Sequence, residues 1–238
     1  LTPAELIAVW ECGNAVADWH KALAILARGA ADQDHLRALS MGERNARLLA
    51  LRRDTFGGQL RAYVKCPRCG EPLEFEQGID ELLDGYDAPA KRHFVIEADD
   101  HRLDCRVLDS TDLAATAPLF FAEAVREALI ARALVAAVCA GQAVVAAALS
   151  PALHDRIEAE LARHDPLARL AIPLGCAACE HVWRAPLDIV AFFWSEIERQ
   201  ARTTLAEVIA LARGFGWAEH EILAMTPARR RFYLESLG

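Results

Sequence analysis

Two cysteine pairs carry the chemistry legible in this chain: Cys66-Pro67-Arg68-Cys69-Gly70 and, far downstream, Cys176-Ala177-Ala178-Cys179. The tight turn of a CxxC knuckle aims both sulfurs at one point and backbone N–H groups at the thiolates, so one knuckle supplies half a tetrahedron. Two facing knuckles complete a closed four-thiolate zinc site with Zn–S distances of about 2.3 Å. Such a site has no open coordination position and serves architecture rather than catalysis. The expected cofactor is one structural zinc ion on Cys66, Cys69, Cys176 and Cys179. Pro67 pre-sets the first turn, and Gly70 takes a positive φ at no steric cost. The second turn has Ala177 in place of the proline and Glu180 in place of the glycine. A left-handed Glu180 costs roughly 1–2 kcal/mol, which a bound metal can offset. Three other readings stay open. A redox dithiol wants one CxxC opening a helix beside a βαβ unit, and neither copy is followed by a helical pattern. The cysteines can also be buried without a ligand, or form two separate sites completed by His181 or His93.

Strand-like segments must deliver these turns. Residues 60–64 lead into the first pair and 72–76 leave it with the alternation of a half-buried strand; 167–174 and 181–186 do the same for the second. The repeated order of strand, CxxC, strand implies two halves of one small β module. Around it the period is helical. Thr2-Pro3 opens a first helix that ends near Gly13, and a second runs over 16–27 to Gly29. Ser40 with Glu43 has the form of a capping box ahead of a helix that ends at Gly57-Gly58. A short helix over 79–83 follows. Two alternating runs, 93–97 and 101–107, read as a hairpin turning at Ala98-Asp99-Asp100, with His93 and His101 on its exposed edges. Residues 118–140 read as one long helix with Phe120, Val125, Leu129, Ala133 and Ala136 inward, and Ser150-Pro151 starts another to His164. Asp188 caps the strongest helix, striped by Ile189, Phe193, Ile197, Ala201, Leu205, Val208 and Ala212 up to Gly214; Thr226-Pro227 opens the last. The expected fold is α+β, mainly α. Helical N- and C-terminal parts (1–63 and 188–238) are joined by a zinc-ribbon-like module built from two separated knuckles (64–110 with the hairpin, and 166–187), with helices inserted at 111–165.

Composition narrows the function classes. The chain has 238 residues, 54% of them hydrophobic, enough for a sizeable core. A net charge of −8 offers no global basic field to hold a phosphate backbone. Of seven cysteines, Cys12, Cys105 and Cys139 stand apart from the pairs, an odd remainder that fits a reducing compartment better than a disulfide framework. The first residues lack the basic and apolar regions of a signal peptide. The apolar run 133–149 is short for a membrane span and is interrupted by Gly141-Gln142. Motifs of the GxSxG, phosphate-loop and HExxH kinds are absent, so no enzyme is expected.

Several blocks together resemble a known family. They are Gly42-Glu43-Arg44-Asn45-Ala46-Arg47-Leu48-Leu49-Ala50-Leu51-Arg52, then Thr55-Phe56-Gly57 and the first CxxC, followed by Cys176-Ala177-Ala178-Cys179-Glu180-His181-Val182-Trp183. Leu187-Asp188-Ile189, Phe193-Trp194-Ser195-Glu196-Ile197, Gly216-Trp217-Ala218-Glu219, Thr226-Pro227 and Tyr233-Leu234-Glu235 complete them. Their order over nearly the whole chain is similar to the T4-type phage baseplate hub assembly proteins, or hub-assembly chaperones, of contractile tails and phage-tail-like injection systems. The resemblance implies a non-enzymatic structural or assembly role, with baseplate hub, spike or tape-measure proteins as partners. It also implies a cytoplasmic location during assembly and leaves open a place in the finished tail or injection particle. Candidate partner surfaces are the basic segment with Arg44, Arg47 and Arg52, and the C-terminal segment with Trp217, Arg229, Arg230, Arg231 and Tyr233. Both sets of arginines read most simply as solvated helix faces; because arginines in a first helical turn oppose the helix dipole, an acidic partner or an internal carboxylate beside Arg229, Arg230 and Arg231 is the alternative. The rival reading is a zinc-ribbon nucleic-acid-binding or transcription accessory protein. The acidic total and the lack of aromatic residues interleaved with Lys or Arg on the strands speak against it.

Overall fold

The computed structural model describes residues 1–14, 16, 18–28, 34–87, 92–98 and 100–237. Gly29, read above as a helix stop, and Asp99, in the hairpin turn, lie outside them. The chain is of mixed α/β type and 56% helical. Its N-terminal part contains α1 (Pro3–Asn14), α2 (Asp18–Leu26), the short α3 (Asp34–Arg37) and α4 (Met41–Phe56). The α4 start is set locally: Glu43 N–H donates to Ser40 Oγ at 3.1 Å, and Ser40 N–H donates to Glu43 Oε2 at 2.8 Å. Strands β1 (Gln59–Lys65) and β2 (Pro72–Gly78) then pair antiparallel from Gln59↔Gly78 to Lys65↔Pro72, and α5 (Ile79–Leu83) follows.

A larger sheet comes next. Strands β3 (His93–Ala98) and β4 (His101–Arg106) form the expected hairpin, and α6 (Ser110–Thr116) starts on a capping box between Asp109 and Asp112. The long helix expected over 118–140 is not formed. Helix α7 spans Ala122–Ala133 and the chain then changes to strands β5 (Leu134–Cys139) and β6 (Gln142–Ala143). The cause is a distant partner: His101 pairs with Cys139 and Leu103 with Ala137, so β4 converts the Val/Ala run into the third strand of the order β3-β4-β5-β6. Ala133 is buried as expected, but Phe120 precedes the helix and is 94% exposed, and Ala136 is exposed on β5. Helix α8 (Pro151–His164) begins at the Ser150 cap. The strand expected from residue 167 starts later, as a 3₁₀ turn Pro166–Ala168 precedes β7 (Ala171–Gly175) and β8 (Val182–Pro186). The C-terminal part is α9 (Ile189–Phe215), α10 (Glu219–Leu223) and α11 (Pro227–Glu235). Helix α9 runs past Gly214 and ends at Gly216, which takes the left-handed φ of 73°.

Of the four apolar groups buried among the described residues, the smallest two have three buried members each, and one of these joins Leu23 of α2 to Leu36 and Leu39 around α3. The largest joins α1, α2, α4 and α9 through Val9, Ile25, Leu48, Leu49, Phe193 and Ile197, and takes in Leu60 of β1 and Leu170 just before β7. The second sits between the large sheet and α7–α8, through Phe94, Leu103, Ile130, Leu153 and Ile157. The β3–β4 hairpin therefore groups with the inserted helices, not with the first cysteine ribbon as the sequence division at 110 had it. The other small group, Val208, Leu211 and Ile222, fixes α10 and α11 on the end of α9. The inserted unit is joined to α4 by a polar contact: Gly42 N–H donates to Asp165 Oδ2 at 2.9 Å, and Asn45 Nδ2 donates to Leu167 O at 2.8 Å. Glycine allows this close approach, because a Cβ at residue 42 would press into the Asp165 carboxylate.

Candidate metal centre

The two cysteine ribbons are aimed by the helices that flank them. Helix α4 runs into β1, and β8 runs into α9, so packing α4 on α9 sets the ribbons side by side. Arg52 enforces this alignment. It is 4% exposed, donates Nη2 to Glu196 Oε1 at 2.7 Å and Nε to Glu196 Oε2 at 3.0 Å on α9, and donates Nη1 to Gln59 O at 2.7 Å and to Gly57 O. One guanidinium thus links the end of α4, the start of β1 and the first third of α9. At the base of the second ribbon, Leu187 N–H donates to Leu170 O at 3.0 Å before α9 begins.

At their tips the ribbons make the same turn twice. Cys66 N–H donates to Glu71 O at 2.8 Å and Gly70 N–H to Cys66 O at 2.9 Å; Cys176 N–H donates to His181 O at 2.9 Å and Glu180 N–H to Cys176 O at 2.8 Å. The turn needs a left-handed residue at its fifth position, and Gly70 (φ 78°) and Glu180 (φ 57°) both supply it. The strained Glu180 expected from sequence is present, and the second turn keeps the shape of the first.

The sulfurs of Cys66, Cys69, Cys176 and Cys179 all lie within 4.8 Å of one another. Cys66 Sγ is 3.7 Å from Cys179 Sγ, and Cys69 Sγ is 3.6 Å from Cys176 Sγ. These separations are far beyond a disulfide bond of about 2.05 Å. They match the edge, about 3.8 Å, of a tetrahedron with metal–sulfur bonds of about 2.3 Å. The four cysteines can therefore hold one metal ion between them, each knuckle contributing one buried sulfur-bearing residue, Cys66 and Cys176, both 2% exposed. Burial pushes the Cys66 thiol up, but N–H groups of Cys69 and Arg68 bring it down to about 7. At Cys69 the N–H of Glu71 favours the thiolate, yet the neighbouring Cys179, burial, and the other two cysteines drive it up to about 12. Cys66 thus gives up its proton more readily than Cys69, whose thiolate needs a cation beside it. His181 stacks on Trp183 with ring centroids 5.7 Å apart, and neither it nor His93 belongs to the cluster; Cys12, Cys105 and Cys139 also lie outside it.

The residues expected to form partner surfaces separate into two sets. Arg47, Arg229 and Arg231 are exposed, while Trp217 and Tyr233 are half-buried in an aromatic group with Phe215. Arg44, Arg52 and Arg230 are not on the surface, which corrects the expectation of a solvated basic face. Arg230 is 1% exposed and donates Nε to Glu207 Oε2 and Nη1 to Met225 O, both at 2.8 Å, so Glu207 is the internal carboxylate of the alternative reading. Arg44 is 4% exposed, and burial pulls its guanidinium down to about 10 against the fields of Asp188 and Asp165. Sequence reasoning had no signal for Glu196 or Glu207 as partners of these arginines. Among the described residues no helix is long and apolar enough to cross a membrane. Compared with protein-family models, curated proteins and solved structures, the chain has no match in any of the three.

Proposed function

We propose that this chain is a non-enzymatic structural or assembly protein of the baseplate hub in a contractile phage tail or phage-tail-like injection system, held in shape by one zinc ion on Cys66, Cys69, Cys176 and Cys179. The observation that carries the architectural half is the meeting of two ribbons whose cysteines are 107 and 113 residues apart in sequence. Thiolates are soft ligands, and a four-sulfur tetrahedral set selects zinc or iron among common metals. Zinc is preferred because its thiolate sites are closed structural staples that need no redox partner. The assembly half draws on the ordered blocks from Gly42 to Glu235 that resemble the hub assembly proteins. The expected partners are hub, spike or tape-measure proteins, met in the cytoplasm while the baseplate is built.

A nuclease-treated pull-down of the tagged chain from cells expressing its own gene cluster tests this, with metal content of the purified chain measured in parallel. Recovery of hub, spike or tape-measure proteins and one zinc per chain is the expected result. Recovery of nucleic-acid-associated proteins that vanish on nuclease treatment would replace the proposal with the zinc-ribbon regulator. Iron in place of zinc would overturn the metal assignment.

A further inference from the structure

A groove of about 1390 Å³ runs between α2, the start of α4, α6, the second cysteine ribbon and the start of α9. Pockets for small molecules hold about 300–1,000 Å³, so this one has the size of a polypeptide segment. Its charge is opposite to that of the chain as a whole, which is −8. Among the described residues lining it, Lys21, Arg44, Arg169 and Arg184 are cationic, and Asp188 is the carboxylate. One oxygen of that carboxylate, Oδ1, accepts from Val190 N–H and Ala191 N–H at 3.0 Å each. The positive end of the 27-residue α9 opens on the same groove and adds to its field.

Arg44 is the decisive group. Its Nε and Nη2 both donate to one atom, Asn45 Oδ1, at 3.3 and 3.0 Å, and no described carboxylate lies within ion-pair distance of it. A guanidinium has five N–H donors, so most of this buried one's donors are left for something in the groove. Charges this deep are normally paired and hydrogen-bonded; the carboxylates of Asp188 and Asp165 act on this one only through their fields. Trp19, Leu113, Leu170 and Val190 supply apolar walls around the cations.

We propose that this groove binds an acidic, apolar-flanked segment of a partner protein, with a carboxylate of that segment on Arg44 and the neighbouring side chains against the apolar walls. Arg169 and Arg184, both exposed, flank the entry and steer the segment in. A nucleic acid fits less well: its continuous phosphate charge meets an acidic molecule, and its backbone has no use for apolar walls. The proposal rests on the binding-protein reading above only in taking a protein as the occupant.

The test is selection of a random peptide library on the full-length chain, followed by fluorescence polarisation of the enriched peptides. Enrichment of sequences with Asp or Glu beside apolar residues is expected. Arg169→Glu with Arg184→Glu, both exposed, should weaken them by about tenfold or more with an unchanged circular dichroism spectrum, as should Arg44→Gln. Replacing the peptide's own carboxylate by its amide should do the same. Failure to enrich acidic sequences, or equal binding to the parent and to the Arg169→Glu/Arg184→Glu chain, would overturn the proposal. Labelled single-stranded DNA is run alongside; DNA binding lost in the double variant, with no acidic peptide selected, would reassign the groove to phosphate. Because the selection uses the isolated chain, acidic peptides together with a pull-down free of baseplate proteins would retain the groove and remove the hub assignment.

Discussion

Replacing Cys66 and Cys176 together by Ser removes one buried ligand from each knuckle and should abolish metal binding. The consequence can be sized from chain connectivity. The four-sulfur contact closes a loop of at least 107 residues. A covalent tie across a loop of about 100 residues lowers the entropy of the unfolded chain enough to stabilise the fold by about 4.7 kcal/mol. A metal tie acts in the same sense, and part of its effect is already supplied by the α4–α9 packing and by Arg52 with Glu196. A loss of about 3–5 kcal/mol is therefore expected, and at about 2–4 °C per kcal/mol for a chain of this size the midpoint should fall by roughly 6–20 °C. The loss should be local in structure. Two-stranded ribbons are marginal by themselves, whereas the core of Val9, Ile25, Leu48 and Phe193 does not touch the sulfurs. Thermal melts with hydrogen exchange resolved along the chain, on metal-loaded, chelated and substituted protein, provide the assay. Fast exchange should spread through β1–β2 and β7–β8 while α1, α4 and α9 stay protected. Equal melting points and equal ribbon protection after complete removal of the metal would refute the reasoning, as would chelation that unfolds α4 and α9 along with the ribbons.

Other substitutions follow from single contacts. Arg230→Ala leaves Glu207, itself about a quarter exposed, without its partner and should cost about 1.5–3 kcal/mol, read as fast exchange in α10 and α11; a uniform loss along the whole chain would count against it. Gly42→Ala forces a methyl group into the Asp165 carboxylate and should destabilise by about 1–3 kcal/mol, measured by urea denaturation, with an unchanged midpoint as the contrary result. Asp112 is fully buried; burial pushes its carboxyl up, but Arg106, the Asp109 N–H and Arg132 hold it below the ordinary value. Its folded value therefore lies below the unfolded one of about 3.9, so its stabilisation is complete above that pH and is lost as pH falls through the folded value. Asp112→Asn should consequently be less stable than the parent at pH 7, and the gap should narrow on acidification below about pH 4. A gap independent of pH would show that the ion pairs contribute nothing.

What could be read in advance was whatever the chain settles within a few residues. Ser40 with Glu43, Ser150-Pro151 and Asp188 each start a helix through contacts to their own next turn. The left-handed Glu180 was legible because Gly70 occupies the same step of the other turn. The misreading over 118–140 has the opposite cause: Leu134-Val135-Ala136-Ala137-Val138 satisfies helix and strand patterns alike, and β4, some 30 residues earlier, decides between them. The buried arginines were hidden for a similar reason. Arg52 finds Glu196 at a separation of 144 residues and Arg230 finds Glu207 at 23, beyond the reach of any local pattern. Four cysteines in two pairs implied convergence; which helices would bring them together, and the groove beside the second ribbon, depended on packing.

The separation of the two cysteine pairs also sets a clock. Protein synthesis proceeds at about 5–20 residues per second, and Cys176 follows Cys69 by 107 residues. The first pair therefore leaves the ribosome roughly 5–20 s before the second exists, and for that interval it is a half-site with two thiols and no mate. Neighbouring nascent chains on one message present the same half-site, so the competing product is an exchange in which Cys66 and Cys69 of one chain share a metal with Cys176 and Cys179 of another. Slow elongation lengthens that window, and a high local density of nascent chains raises the chance that it is used.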